Sequence, residues 1–159
     1  MNIIELIKCK YDSADVLSNE EKAIIYNLLT FHTDIFEQIE KDIDNICFIN
    51  GNVFFFQDVC EITMIIAKNY TVFFKLLLIK MIHLPNIVYF TVEQLIESQQ
   101  LTFSCYDKEI LMKIVKNCIE LLRINNDGVI IKDVVRENVQ LEHIPTVSEF
   151  YWNKLVNYL

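Results

Sequence analysis

The stretch from Asp58 to Leu84 sets the tightest limit on what this chain can fold into. Read as helix, it places Glu61, Lys68 and Lys75 seven residues apart on one narrow stripe, while Val59, Ile62, Ile65, Ile66, Phe73, Leu76, Leu77, Ile79 and Ile82 cover most of the rest. A helix that apolar needs neighbours on several sides, so it is expected at the centre with other elements packed around it. Asn69-Tyr70-Thr71 is its weakest point and the place where it could divide in two. Pro85 is expected to end it, because proline cannot donate the helical hydrogen bond and restricts the residue before it.

Neighbours for that helix must come from the same pattern elsewhere. Only Gly51, Gly128, Pro85 and Pro145 punctuate 159 residues, too few for an all-β fold built on tight turns. The length suits one domain, 1–159, which buries roughly two-thirds of the surface its unfolded chain exposes. Hydrophobic residues make up 53% and charged residues 23%, a globular balance. The expected fold is all-α: a single-domain bundle of about six to eight helices around the hydrophobic central one.

In chain order, Ile3, Ile4, Leu6 and Ile7 mark a short first helix, and Tyr11 to Leu17 a connector. Ser18-Asn19-Glu20-Glu21 is a capping box, in which hydroxyl and carboxylate satisfy the first free backbone amides of a helix. Ile25, Leu28, Leu29, His32, Ile35, Phe36, Ile39, Ile43 and Ile46 then recur at spacings of three and four. Asp34 to Glu37 offers a second capping box, which puts a break point near His32 and Thr33. His32 lies on the apolar stripe and reads as a hydrogen-bonded core histidine. Asn50-Gly51 is a turn, Val53-Phe54-Phe55-Phe56 an extended apolar segment, and Asp58 to Glu61 a third capping box.

The second half repeats this grammar. Thr91-Val92-Glu93-Gln94 caps a short helix to about Gln100, and Tyr106 to Ile124 is amphipathic through Ile110, Leu111, Ile114, Val115, Cys118, Leu121 and Leu122. Asn125 to Gly128 is a turn, followed by Val129-Ile130-Ile131. Paired with Val53 to Phe56, that segment would make a minimal two-stranded ribbon. Thr146 to Glu149 caps a last helix with Phe150, Trp152, Leu155 and Val156.

Several function classes fall away. A net charge of −8 opposes a sequence-independent grip on phosphate backbones, so no nucleic acid is expected as partner. Asp34, Glu37, Glu40, Asp42 and Asp44, offset only by Lys41, form either a solvated helix face or a docking patch for a basic partner. Cys9, Cys47, Cys60, Cys105 and Cys118 show no paired spacing, which favours reduced thiols over a disulfide framework. His32, His83 and His143 are isolated, against the clustered ligands of a zinc site. Aligning Gly51 with an EF-hand loop glycine puts Ile46 first and Gln57 twelfth, and aligning Gly128 puts Arg123 first and Val134 twelfth. Neither loop supplies the oxygens that calcium needs. Glycine-rich phosphate loops, G-x-S-x-G and H-E-x-x-H are missing, and neither a catalytic residue nor a cofactor is assigned. Lys68, Lys75 and Lys80 interrupt every apolar window, so no transmembrane segment is expected. The N-terminus acquires charge too soon for a secretory signal, which points to an intracellular location.

Twelve lysines against two arginines, three alanines, and abundant isoleucine, asparagine, phenylalanine and tyrosine match the codon bias of an AT-rich genome. In size, helical pattern and composition the chain resembles small proteins of large cytoplasmic DNA viruses, such as poxviruses and their relatives. The stretch Phe36-Glu37-Gln38-Ile39-Glu40-Lys41-Asp42-Ile43 leading to Asn50-Gly51, then Asp58-Val59-Cys60-Glu61-Ile62, looks like a helix-turn-helix segment recurrent in proteins of those viruses. With catalytic motifs missing, a non-enzymatic protein-binding or structural role remains, and the resemblance implies host cytoplasm or virion, with partners among self, other virion proteins or a host protein helix. As a virion or assembly component, the chain would bury Phe54, Phe55, Phe56, Tyr151 and Trp152 against neighbouring subunits and offer Glu37, Glu40 and Asp44 as polar contacts. The alternative is a Bcl-type viral inhibitor of apoptosis or inflammatory signalling that takes a partner helix in a groove. That family's asparagine-tryptophan-glycine-arginine signature is not present, and the one tryptophan is Trp152.

Overall fold

A computed structural model describes residues 2–49, 53–104 and 106–123. Within them the chain forms α1 (Ile3–Lys10), α2 (Asn19–Phe31), α3 (Thr33–Ile49), α4 (Asp58–Leu76), α5 (Leu84–Glu97) and α6 (Lys108–Arg123), with a 3-10 turn at Met81–His83 before α5. Among the described residues there is no sheet, and the architecture is the expected all-helical bundle. The only β-type pairing there is a parallel bridge between Phe54 and Phe103, in which Phe54 N–H donates to Thr102 O at 2.7 Å and Ser104 N–H to Phe54 O at 2.8 Å. Phe54 is thus paired with the α5–α6 connector, while residues 129–131, the expected ribbon partner, lie outside the described residues.

Local chemistry explains where the helices begin. At α2 the capping box forms in full: Glu21 N–H donates to Ser18 Oγ at 3.1 Å and Ser18 N–H to Glu21 Oε1 at 2.9 Å. Asn2 accepts from Glu5 N–H at 3.1 Å to start α1, and Asp107 from Ile110 N–H at 3.3 Å to start α6. Two expected caps do other work. Asp34 falls inside the first turn of α3, which already begins at Thr33. Asp58 is the first residue of α4, and its carboxylate accepts from Phe55 N–H at 2.7 Å, bracing the preceding loop.

The centre also departs from expectation. α4 runs unbroken through Asn69-Tyr70-Thr71, because Asn69 Nδ2 donates to Ile65 O at 2.9 Å and Thr71 Oγ1 to Ala67 O at 2.7 Å. These polar groups find partners one turn back instead of competing with the helix. α4 then stops at Leu76, eight residues before Leu84. Leu78 takes a left-handed φ of 56°, Leu78 N–H bonds to Lys75 O and Ile79 N–H to Phe74 O, the crossed pair that closes a helix C-terminus. Glycine usually fills that position, and leucine fills it here. Pro85 therefore stands in the first turn of α5, where its missing N–H costs nothing, instead of ending α4. Thr91 and Gln94, read as a cap, are buried within α5.

α5 accordingly shares the central position with α4. α5 packs against α1, α2, α4 and α6, and α4 against α3, α5 and α6. Ile62, Ile65, Ile66, Phe73 and Phe74 of α4 meet Ile87, Val88, Phe90 and Leu95 of α5 in one core that extends to Phe36, Ile39 and Ile43 of α3 and Leu111 and Val115 of α6. Full burial of each such side chain contributes roughly 1.5–3 kcal/mol. Within the core, Tyr70 OH lies 2.8 Å from Thr91 Oγ1, and its ring meets Phe36 edge-on with centroids 6.3 Å apart.

Candidate functional site

Among the described residues, the expected contact residues do not form one surface. The bridge to Phe103 turns Phe54 into the core, with the two rings 5.9 Å apart. Phe56 is half-buried against the same core, and Phe55 is exposed. Tyr151 and Trp152 lie outside the described residues. Glu40 is committed to structure, accepting from Ile3 N–H at 2.8 Å and so tying α1 to α3. Glu37 and Asp44 are exposed on α3, and Asp42 is held by Gln38 at 2.8 Å and Asn69 at 3.3 Å. His32 is half-buried, not in the core, and meets Phe73 edge-on at 4.9 Å.

A different apolar surface stands at the C-terminal end of α4. Val72 (62% exposed) and Leu76 (70%) share one helix face, and Leu77 and Leu78 continue the ridge into the turn, Leu78 being 91% exposed. Phe31, at the C-terminal end of α2, is also exposed (71%). On the α3 side, Ile35, Asn69 and Val72 floor a groove of about 470 Å³, edged by Asp34, Glu37, Gln38 and Lys41. Lys75 and Lys80 are exposed along the ridge.

A second concave surface follows the outer face of α5. Glu21, buried, receives Ser18 N–H on Oε1, and its Oε2 lies 3.0 Å from His83 Nδ1. Asn86 Nδ2 reaches both oxygens at 3.4 Å, and Glu20 Oε2 lies 2.9 Å from His83 Nε2. The capping carboxylate of α2 thereby also pins the 3-10 turn and the start of α5. Beside this hub, Val16, Ile82, His83 and Asn86 line a cleft of about 460 Å³. Val16 and Asn86 also belong to an adjoining cavity of about 440 Å³, which continues past Tyr89 to Lys116, Ile119 and Glu120 of α6.

Charge closes the far end of α5. Burial, then the neighbouring Glu93, raises the Tyr89 phenol above its ordinary value. Burial, then Glu97, likewise raises Glu93. Lys108 is hydrogen-bonded to Glu97, which raises its ammonium and secures the start of α6 to α5.

Comparison with protein-family models, curated proteins and solved structures finds no match to this chain. Among the described residues no group of three or more His, Cys, Asp or Glu could hold a metal ion, and no helix is long and apolar enough to cross a membrane. Sequence reasoning missed both surfaces. Leu76 and Leu77 belong to the apolar cover for which neighbours are expected on several sides, and the one signal for the hub is the capping box that includes Glu21.

Proposed function

We propose that the chain is a non-enzymatic interaction protein, an assembly component of viral origin that buries the C-terminal ridge of α4 against a second copy of itself. The exposure of Val72 and Leu76 on one face of α4, continued by Leu77 and Leu78, carries this reading. Single exposed apolar residues are ordinary on a monomer, whereas a cluster marks a contact surface. Charge supports a second copy as the occupant. Lys75 and Lys80 are exposed in and just after the end of α4, while Asp34 and Glu37, with Lys41 of the same helix, line the groove that reaches Val72, so a symmetric contact at the ridge would offer the lysines of one copy to the carboxylates of the other. Light scattering coupled to size exclusion tests this over a range of concentrations. Wild type should show a dimer or larger species, and Leu76→Asp with Leu78→Asp should be monomeric with unchanged helix content. A monomeric wild type at high concentration would sink the assembly reading.

A second reading, a Bcl-type viral inhibitor, draws support from the cleft along α5, whose apolar lining of Val16, Ile82, Tyr89 and Ile119 is flanked by Lys116 and Glu120. Grooves of this kind accept an amphipathic helix. Anisotropy of labelled pro-apoptotic helical peptides should then rise with added protein, and Val16→Asp, at an exposed position of the cleft, should abolish the rise. Flat titrations up to high protein concentration would count against it.

A further inference from the structure

We propose that Cys60 and Cys118 form a site of reversible oxidative cross-linking that joins α4 to α6 when the protein meets a hydroperoxide. Cys60 lies in the first turn of α4 and Cys118 in the third turn of α6, 58 residues apart in sequence, with Sγ atoms 2.9 Å from each other. A disulfide is about 2.0 Å long, so a small shift of the two side chains closes the remaining distance. Both residues are buried, and the two helices already pack together. The bond would therefore form within the native arrangement.

Burial sets the order of events. α6 exposes Lys113, Lys116, Asn117 and Glu120 on its other face, so fraying of this outer helix uncovers Cys118 before Cys60, which lies beneath it on α4. The Cys118 thiolate attacks one peroxide oxygen; the O–O bond breaks, and the departing oxygen takes up a proton to leave as water or alcohol. The resulting sulfenic acid is attacked by the Cys60 sulfur; the S–O bond breaks, and hydroxide leaves with the Cys60 proton as water. Two thiols have then lost two electrons and two protons to one hydroperoxide. Cys9, exposed on α1, has no part in this step.

The consequence reaches the cleft along α5. Lys116, Ile119 and Glu120, which form its α6 wall, flank Cys118, and the cross-link would hold that wall against α4. This inference stands apart from either proposed function, since it rests on the two sulfurs alone.

The test uses the full chain carrying Cys9→Ser, treated with hydrogen peroxide under native conditions and digested without reduction. The expected product is one cross-linked peptide containing Cys60 and Cys118, with loss of two hydrogen atoms from the intact mass. The oxidised protein should melt higher by on the order of 10 °C, dithiothreitol should reverse the shift, and Cys118→Ser should not show it. Recovery of Cys60 and Cys118 as separate alkylatable thiols after peroxide treatment would overturn the inference, as would Cys60 joined to a different cysteine. Should Cys118→Ser fail to fold, the peptide map of the Cys9→Ser chain decides alone.

Discussion

The contact between Tyr70 and Thr91 ties the two central helices together, and its energetics can be worked out before any measurement. Thr91 has one hydroxyl hydrogen, and Oγ1 lies 2.9 Å from Ile87 O, which can only accept. Thr91 therefore accepts from Tyr70, whose OH is 2.8 Å away in the core. The two single substitutions are then unequal. Tyr70→Phe removes the donor and leaves Thr91 still bonded to Ile87, so the loss should be near that of an ordinary hydrogen bond, about 1 kcal/mol. Thr91→Val keeps the shape at position 91 but strands the Tyr70 hydroxyl without an acceptor, at a cost of roughly 1–3 kcal/mol. Tyr70→Phe with Thr91→Val leaves neither group in need, so the pair should be less destabilising than Thr91→Val alone. Urea unfolding followed by circular dichroism gives all four stabilities by linear extrapolation, with the slope expected to stay constant. Equal losses for the two single variants, or a double variant that loses their sum, would refute the donor assignment.

Burial also raises the Tyr70 phenol above its ordinary value of 10.0. Its contribution to stability is thus complete below about pH 10 and is lost as the unfolded chain ionises above it; wild type should lose stability more steeply there than Tyr70→Phe in a pH series of urea melts. Ser18→Ala should cost about 1 kcal/mol as a lost cap, and Glu21→Ala ~2 kcal/mol, because the same carboxylate also anchors His83 and Asn86; equal losses in thermal melts would argue that the hub contributes nothing. Leu78→Gly, measured on the monomeric Leu76→Asp background so that loss of any self-contact does not enter, should stabilise the chain by about 0.5–1 kcal/mol, since it relieves a left-handed residue whose side chain is almost wholly exposed; a lower melting temperature would contradict that account of the α4 terminus.

What could be read from the sequence was local. The capping box at Ser18 and the apolar spacing along α3 and α6 need only residues within one or two turns, and they placed those helices within a few positions. Pro85 misled because proline suits the residue after a helix and the first turn of the next one alike. The discriminating feature was the termination at Leu78, which lacks the glycine that announces such a turn. Phe54, Phe55 and Phe56 were indistinguishable as a run, since their directions follow from the bridge to Phe103 49 residues later. The hub joins Glu21 to His83 across 62 residues, and the thiol pair spans 58. Neither leaves a trace in spacing, and the ridge depends on which face of α4 its neighbours leave uncovered, which no local pattern specifies.

Amide hydrogen exchange of the wild-type chain, followed by mass spectrometry at low and high protein concentration, tests the docking role of the α4 ridge most directly. Protection that grows with concentration in peptides covering residues 72–80, with peptides from the α5 cleft unchanged, is the result expected if copies meet at the ridge. Exchange in residues 72–80 that is the same at both concentrations, or protection confined to the cleft, would contradict it.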